Sequence, residues 1–97
     1  MALAVDAPEG GRPVSELRLA LEADRDDHAA RYELAQRLLA SGEQADAIDE
    51  LLLIVRRDKA WSDGAARLLL LKVFDALGSG HELTKKGRRR LSNCLNI

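Results

Sequence analysis

Two stretches of the chain repeat each other at a fixed distance, and that distance limits the folds open to it. When "SELRLALEADRDD" (Ser15 to Asp27) is laid over "DELLLIVRRDKAW" (Asp49 to Trp61), Glu16 falls on Glu50, Leu17 on Leu51, Leu19 on Leu53 and Asp24 on Asp58. Ala20 and Leu21 fall on Ile54 and Val55, so the apolar pattern is kept as well. Each pair is 34 residues apart. A period of that length marks stacked supersecondary units, each too small to bury its own apolar face.

The units are helical. Leu and Ala dominate a composition that is 46% apolar but holds one Phe, one Trp and one Tyr, and both favour helix. No stretch alternates as a strand would. The first helix is expected from about Pro13 to Ala23, with Leu17, Ala20 and Leu21 as its apolar stripe. Asp26 and Asp27 supply N-cap oxygens for a second helix, "HAARYELAQRLLA", which Gly42 ends as a left-handed C-cap. A third spans about Glu43 to Arg57, with Arg56 and Arg57 where the helix dipole favours positive charge. Ser62 or Asp63 is expected to cap a fourth that stops at Gly78, and a fifth spans about Glu82 to Leu95. Connections this short make consecutive helices antiparallel. The fold class is therefore an all-α antiparallel helix-turn-helix array over residues 13–97, and "MALAVDAPEGGR", residues 1–12, is expected to be a flexible linker.

The stretch from His28 to Trp61 resembles a full tetratricopeptide repeat. Leu34 and Ala35 occupy the Leu–small pair, Leu38 the first aromatic site, Gly42 the turn, and Ala47 and Leu51 the second helix. Ala35 and Ala47 need to be small because the two helices of a repeat cross there. Arg31 stands where Trp is expected, with Tyr32 beside it, and Lys59 replaces Pro. The first helix then reads as the second half of a preceding repeat, and the last two as a diverged repeat in which Leu34 maps on Leu68. A narrower resemblance rests on "ELLLIVRRDKAWSDGAAR", "FDALGSG" and the final "RRRL". These are similar to the C-terminal tetratricopeptide domain of bacterial thioredoxin-fused co-chaperones of the YbbN/CnoX type, without the thioredoxin domain. That resemblance implies contacts with client or chaperone proteins; in the family, cysteine chemistry belongs to the thioredoxin part.

Charge and residue types narrow the function classes. Net charge is −1, which argues against a general electrostatic grip on nucleic acid or anionic lipid. The single cysteine, Cys94, supplies no internal disulfide, metal cage or redox pair, and fits a reducing compartment. No apolar run reaches the roughly 20 residues that span a bilayer. The expectation is a soluble, cytoplasmic protein with no cofactor, no metal and no enzymatic site, since no nucleophile–base pair or phosphate loop is present. His28 and His81 lie next to helix starts, without partners spaced for metal or catalysis.

Two surfaces are candidates for a protein partner. In the repeat scheme, the first helix of each pair lines a groove. This places Tyr32, Gln36 and Leu39 beside Ala66, Leu70 and Val73, with Tyr32, Leu39, Leu70 and Val73 on one face at least partly open to solvent. The groove either takes a partner, is covered by the chain's own ends, or is filled by a second copy in a homodimer. The other candidate is the run "KKGRRR", whose Lys85, Lys86, Arg88 and Arg89 form a basic helix face. That face is either simply solvated, suited to an acidic protein, or, less well for want of aromatic residues to stack on bases, suited to nucleic acid. Gly87 lies on the apolar side of that helix with Leu83, Leu91 and Leu95, so it reads as a point of close helix–helix approach.

Overall fold

The computed structural model describes residues 11–96. Most of the expected linker lies outside the described residues, as does Ile97. The helices are α1 (Val14–Ala23), α2 (His28–Ala40), α3 (Gln44–Arg57), α4 (Ala65–Leu77) and α5 (Glu82–Leu95). Among the described residues there is no strand.

Local chemistry sets most of these boundaries. Pro13 is the N-cap of α1 rather than part of its first turn. The Asp27 carboxylate accepts from the Ala30 N–H at 3.0 Å to start α2, while the Asp26 carboxylate accepts from Arg57. Gly42 and Gly78 have φ of 82° and 93°, a conformation that costs glycine nothing. His81 Nδ1 accepts from the Leu83 N–H at 3.0 Å at the start of α5.

The expected cap of α4 is not there. Ser62 and Asp63 make no side-chain cap bond and instead adopt left-handed φ of 48° and 56°, followed by Gly64 at 81°. A left-handed turn of this kind costs roughly 1–2 kcal/mol per non-glycine residue. Its effect is to add one residue before α4. The buried stripe of α2 (Arg31, Leu34, Ala35, Leu38 and Leu39) recurs in α4 as Ala66, Leu69, Leu70, Val73 and Phe74. Every pair lies one residue beyond the 34-residue spacing of the preceding unit.

α3 is the hub of the fold, packed on α2, α4 and α5, while α1 packs on α2. The molecule measures 34 × 34 × 20 Å, and its short axis is two helix diameters. The first helices of the pairs, α2 and α4, form one layer; α1, α3 and α5 form the other. The core between them includes Leu17, Leu34, Leu51, Ile54, Leu70 and Phe74, each wholly buried or nearly so.

The two helix pairs close differently. In the first, small Ala35 and Ala47 are both fully buried, as is large Leu51. In the second, Leu70 is large and the small residue is Gly87. A Cβ on Gly87 would meet Phe74 Cε1 at 2.5 Å, so the close approach expected at this glycine is present and its partner is the Phe74 ring.

Candidate functional site

Four of the six expected groove residues are core. Leu39 and Leu70 are 0% exposed, Val73 1% and Ala66 3%, so the expectation of a solvent-open wall at these positions is corrected. For Ala66, Leu70 and Val73 the cause is the extra residue in the Ser62–Gly64 turn, which rotates α4 by one position; Leu39 belongs to the buried stripe of α2 itself. Residues equivalent in space to Tyr32, Glu33 and Gln36 are therefore Arg67, Leu68 and Leu71. Tyr32 and Gln36 remain half-buried on the outer side of α2. On α4 the exposed apolar groups are Leu68 at 53% and Leu71 at 39%. The run "LLLL" from Leu68 to Leu71 carried this signal: one helix face cannot bury four consecutive residues. Leu69 and Leu70 go in, Leu68 and Leu71 stay out.

The floor of this face is held by α2. The Trp61 ring stands 5.4 Å from Tyr32 and 6.2 Å from His28, and fills the space between α2 and the start of α4. Burial against it pushes the Tyr32 phenol above its ordinary pKa. Arg31, at the position of the repeat's tryptophan, is buried with its Nη1 donating to Glu50 at 3.1 and 3.3 Å and its Nη2 to the Arg25 carbonyl at 3.0 Å. Removing one partner of such a pair leaves a charge with little water. Arg31 therefore ties α2 to α3 in place of an aromatic wedge.

The basic helix face is as expected in exposure. Lys85, Lys86, Arg88 and Arg89 are all exposed, and none makes an ion pair among the described residues. Arg90, next in the run, donates to Asp49 of α3 at 2.6 Å. The opposite side of α5 is inside, with Thr84, Gly87 and Leu91 buried. Thr84 Oγ1 is buried without a hydrogen-bond partner among the described residues.

Two grooves score the second layer, and sequence reasoning passed over both. One, of about 570 Å³, lies between α1 and α3; the other, of about 430 Å³, lies between α3 and α5. Leu53 lines both and forms the ridge between them. Nothing in the 34-residue period announces these grooves, because they depend on how far apart the second helices stand. Among the described residues, no group of three His, Cys, Asp or Glu could hold a metal ion, and no helix is long and apolar enough to cross a membrane.

Helix pairs stacked in two layers, with grooves and apolar groups on the outer faces, define a helical-repeat array whose working parts are its surfaces. The chain belongs to the tetratricopeptide repeat family, whose model matches residues 8–96. Domains of this family are typically scaffolds for protein–protein contact rather than enzymes. No curated protein matches the chain closely enough to stand as a relative.

Proposed function

We propose that this chain is the protein-interaction module of a cytoplasmic thioredoxin-like co-chaperone, and that it holds client or chaperone proteins. The observation that carries the reading is the pair Leu68 and Leu71, exposed on α4 at positions equivalent to Glu33 and Gln36 of α2. Apolar side chains left in water on a rigid helix gain by docking something apolar. Tyr32 and Gln36 lie half-buried on α2, and the exposed Lys85, Lys86, Arg88 and Arg89 offer a second, polar contact. The co-chaperone context rests on the resemblance in "ELLLIVRRDKAWSDGAAR", "FDALGSG" and "RRRL".

A second reading, a homo-oligomerisation module, is favoured by Leu19, which is 63% exposed on α1 at the opposite end of the array from α4. End-to-end contact of two copies would cover it. One experiment separates the two: sedimentation velocity of the chain alone, then with a permanently unfolded, carboxymethylated protein as client. A monomer that co-sediments with the unfolded protein supports the module. A dimer that ignores it supports self-association and removes the client reading.

A further inference from the structure

We propose that the grooves between α1, α3 and α5 form a second binding surface, on the layer opposite Leu68 and Leu71, for an acidic amphipathic segment of a partner protein. This inference rests on the chain being a protein-interaction module and names the chemistry of one partner. Charge is the first argument. The two grooves are lined by six arginines, Arg18, Arg25, Arg31, Arg56, Arg57 and Arg90, against two carboxylates, Glu22 and Glu50. The chain as a whole has net charge −1, so this concentration of one sign is local. Three of the six are spoken for: Arg31 pairs with Glu50, Arg57 with Asp26 and Arg90 with Asp49. Arg18, Arg25 and Arg56 are exposed and make no ion pair among the described residues.

The floor supplies the second argument. Leu21 and Leu34 line the first groove, Leu52 and Cys94 the second, with Leu53 between. An apolar floor under a cationic rim suits a partner that carries both leucine-like side chains and carboxylates. A nucleic acid fits less well, because no aromatic side chain lines either groove to stack on a base. The two grooves flank α3 on either side, and a helix with its side chains is about 10–12 Å across, so the grooves are separated by about that distance. A docked helix crossing α3 would place side chains at i and i+7, about 10.5 Å apart along its axis, one in each groove.

The test uses fluorescence anisotropy with the whole chain and four labelled probes. They are a glutamate-rich helical peptide with Leu at i and i+7, its scrambled version, its lysine-for-glutamate counterpart, and a single-stranded oligonucleotide. The first peptide is expected to bind at least tenfold tighter than the other three, and to weaken as salt rises. The double variant Arg18→Glu, Arg56→Glu should weaken that peptide at least tenfold, with circular dichroism unchanged because both side chains are exposed. Leu71→Asp should leave its affinity within twofold. Equal binding of the acidic and basic peptides, tighter binding of the oligonucleotide, or failure of every peptide to bind overturns the proposal. Loss of peptide binding in Leu71→Asp but not in the arginine variant also overturns it, while leaving the interaction-module reading intact. If the acidic peptide binds as described but the unfolded client does not, the groove assignment stands and the client reading falls.

Discussion

Arg31 and Tyr32 are neighbours on α2 at the place where the repeat pattern asks for one tryptophan, and they divide its work. Arg31 reaches inward to Glu50 and the Arg25 carbonyl, which joins α2 to α3 through charge. Tyr32 turns toward Trp61, so an aromatic from the end of the unit supplies the bulk that the motif position lacks. The phenol's raised pKa follows from this burial and has a measurable consequence. An unfolded tyrosine releases its proton near pH 10, before the folded one does. Tyr32 therefore contributes stability that is fully present below about pH 10 and is lost as pH rises through the folded value. Tyr32→Phe should decline less than the parent in urea midpoint between pH 8 and pH 11. Because Tyr32 is the one tyrosine of the chain, the tyrosinate absorbance of the folded protein should also appear at higher pH than in denaturant. Identical alkaline declines in the two proteins would mean the phenol is not sheltered.

At the scale of the helices, α4 and α5 show how a repeat diverges without losing its packing. Leu70 is large where Ala35 is small, and Gly87 gives way to the Phe74 ring. Glycine inside a helix is usually a liability, and Gly→Ala there gains roughly 1 kcal/mol. Gly87→Ala should do the opposite. Its Cβ would sit 2.5 Å from a ring that is itself 0% exposed, and overpacking of this kind costs about 1–3 kcal/mol. Chemical denaturation should show Gly87→Ala less stable than the parent. In a double-mutant cycle with Phe74→Leu, the two changes should cost less together than their sum. A higher midpoint for Gly87→Ala would show that the ring has room to move.

The five helices, the turn at Gly42 and the role of Gly87 were legible in the sequence, since each depends on local pattern or on the size of one residue. The register of α4 was not. It depends on Ser62 and Asp63 both taking left-handed conformations, unusual for serine though tolerated by aspartate, which no spacing of apolar groups reveals. A helix that is apolar almost all round offers its faces no clear ranking, and one added residue then exchanges which leucines are inside. This is why Leu70 and Val73, expected on the surface, are core, and why Leu68 and Leu71 took their place.

For the molecule as a whole, two layers of helices give two faces of different character. The α2–α4 face presents the exposed pair Leu68 and Leu71; the α1–α3–α5 face presents grooves rimmed by arginine. The core between them is continuous, so each face can be altered without the other as long as the change stays outside. Adjacent residues on α4 put that to the sharpest test. Leu70→Asp would bury a carboxylate where the side chain is 0% exposed, an intrusion that a small domain with about 5–15 kcal/mol of stability does not survive. Leu71→Asp changes an exposed position and should melt within a few degrees of the parent. The deciding measurement is a thermal circular dichroism melt of the two variants, followed by binding of the unfolded client to whichever remains folded. The account predicts that Leu70→Asp loses its helical transition while Leu71→Asp keeps it and loses the client. A folded Leu70→Asp, or a folded Leu71→Asp that binds the client as well as the parent does, would contradict it.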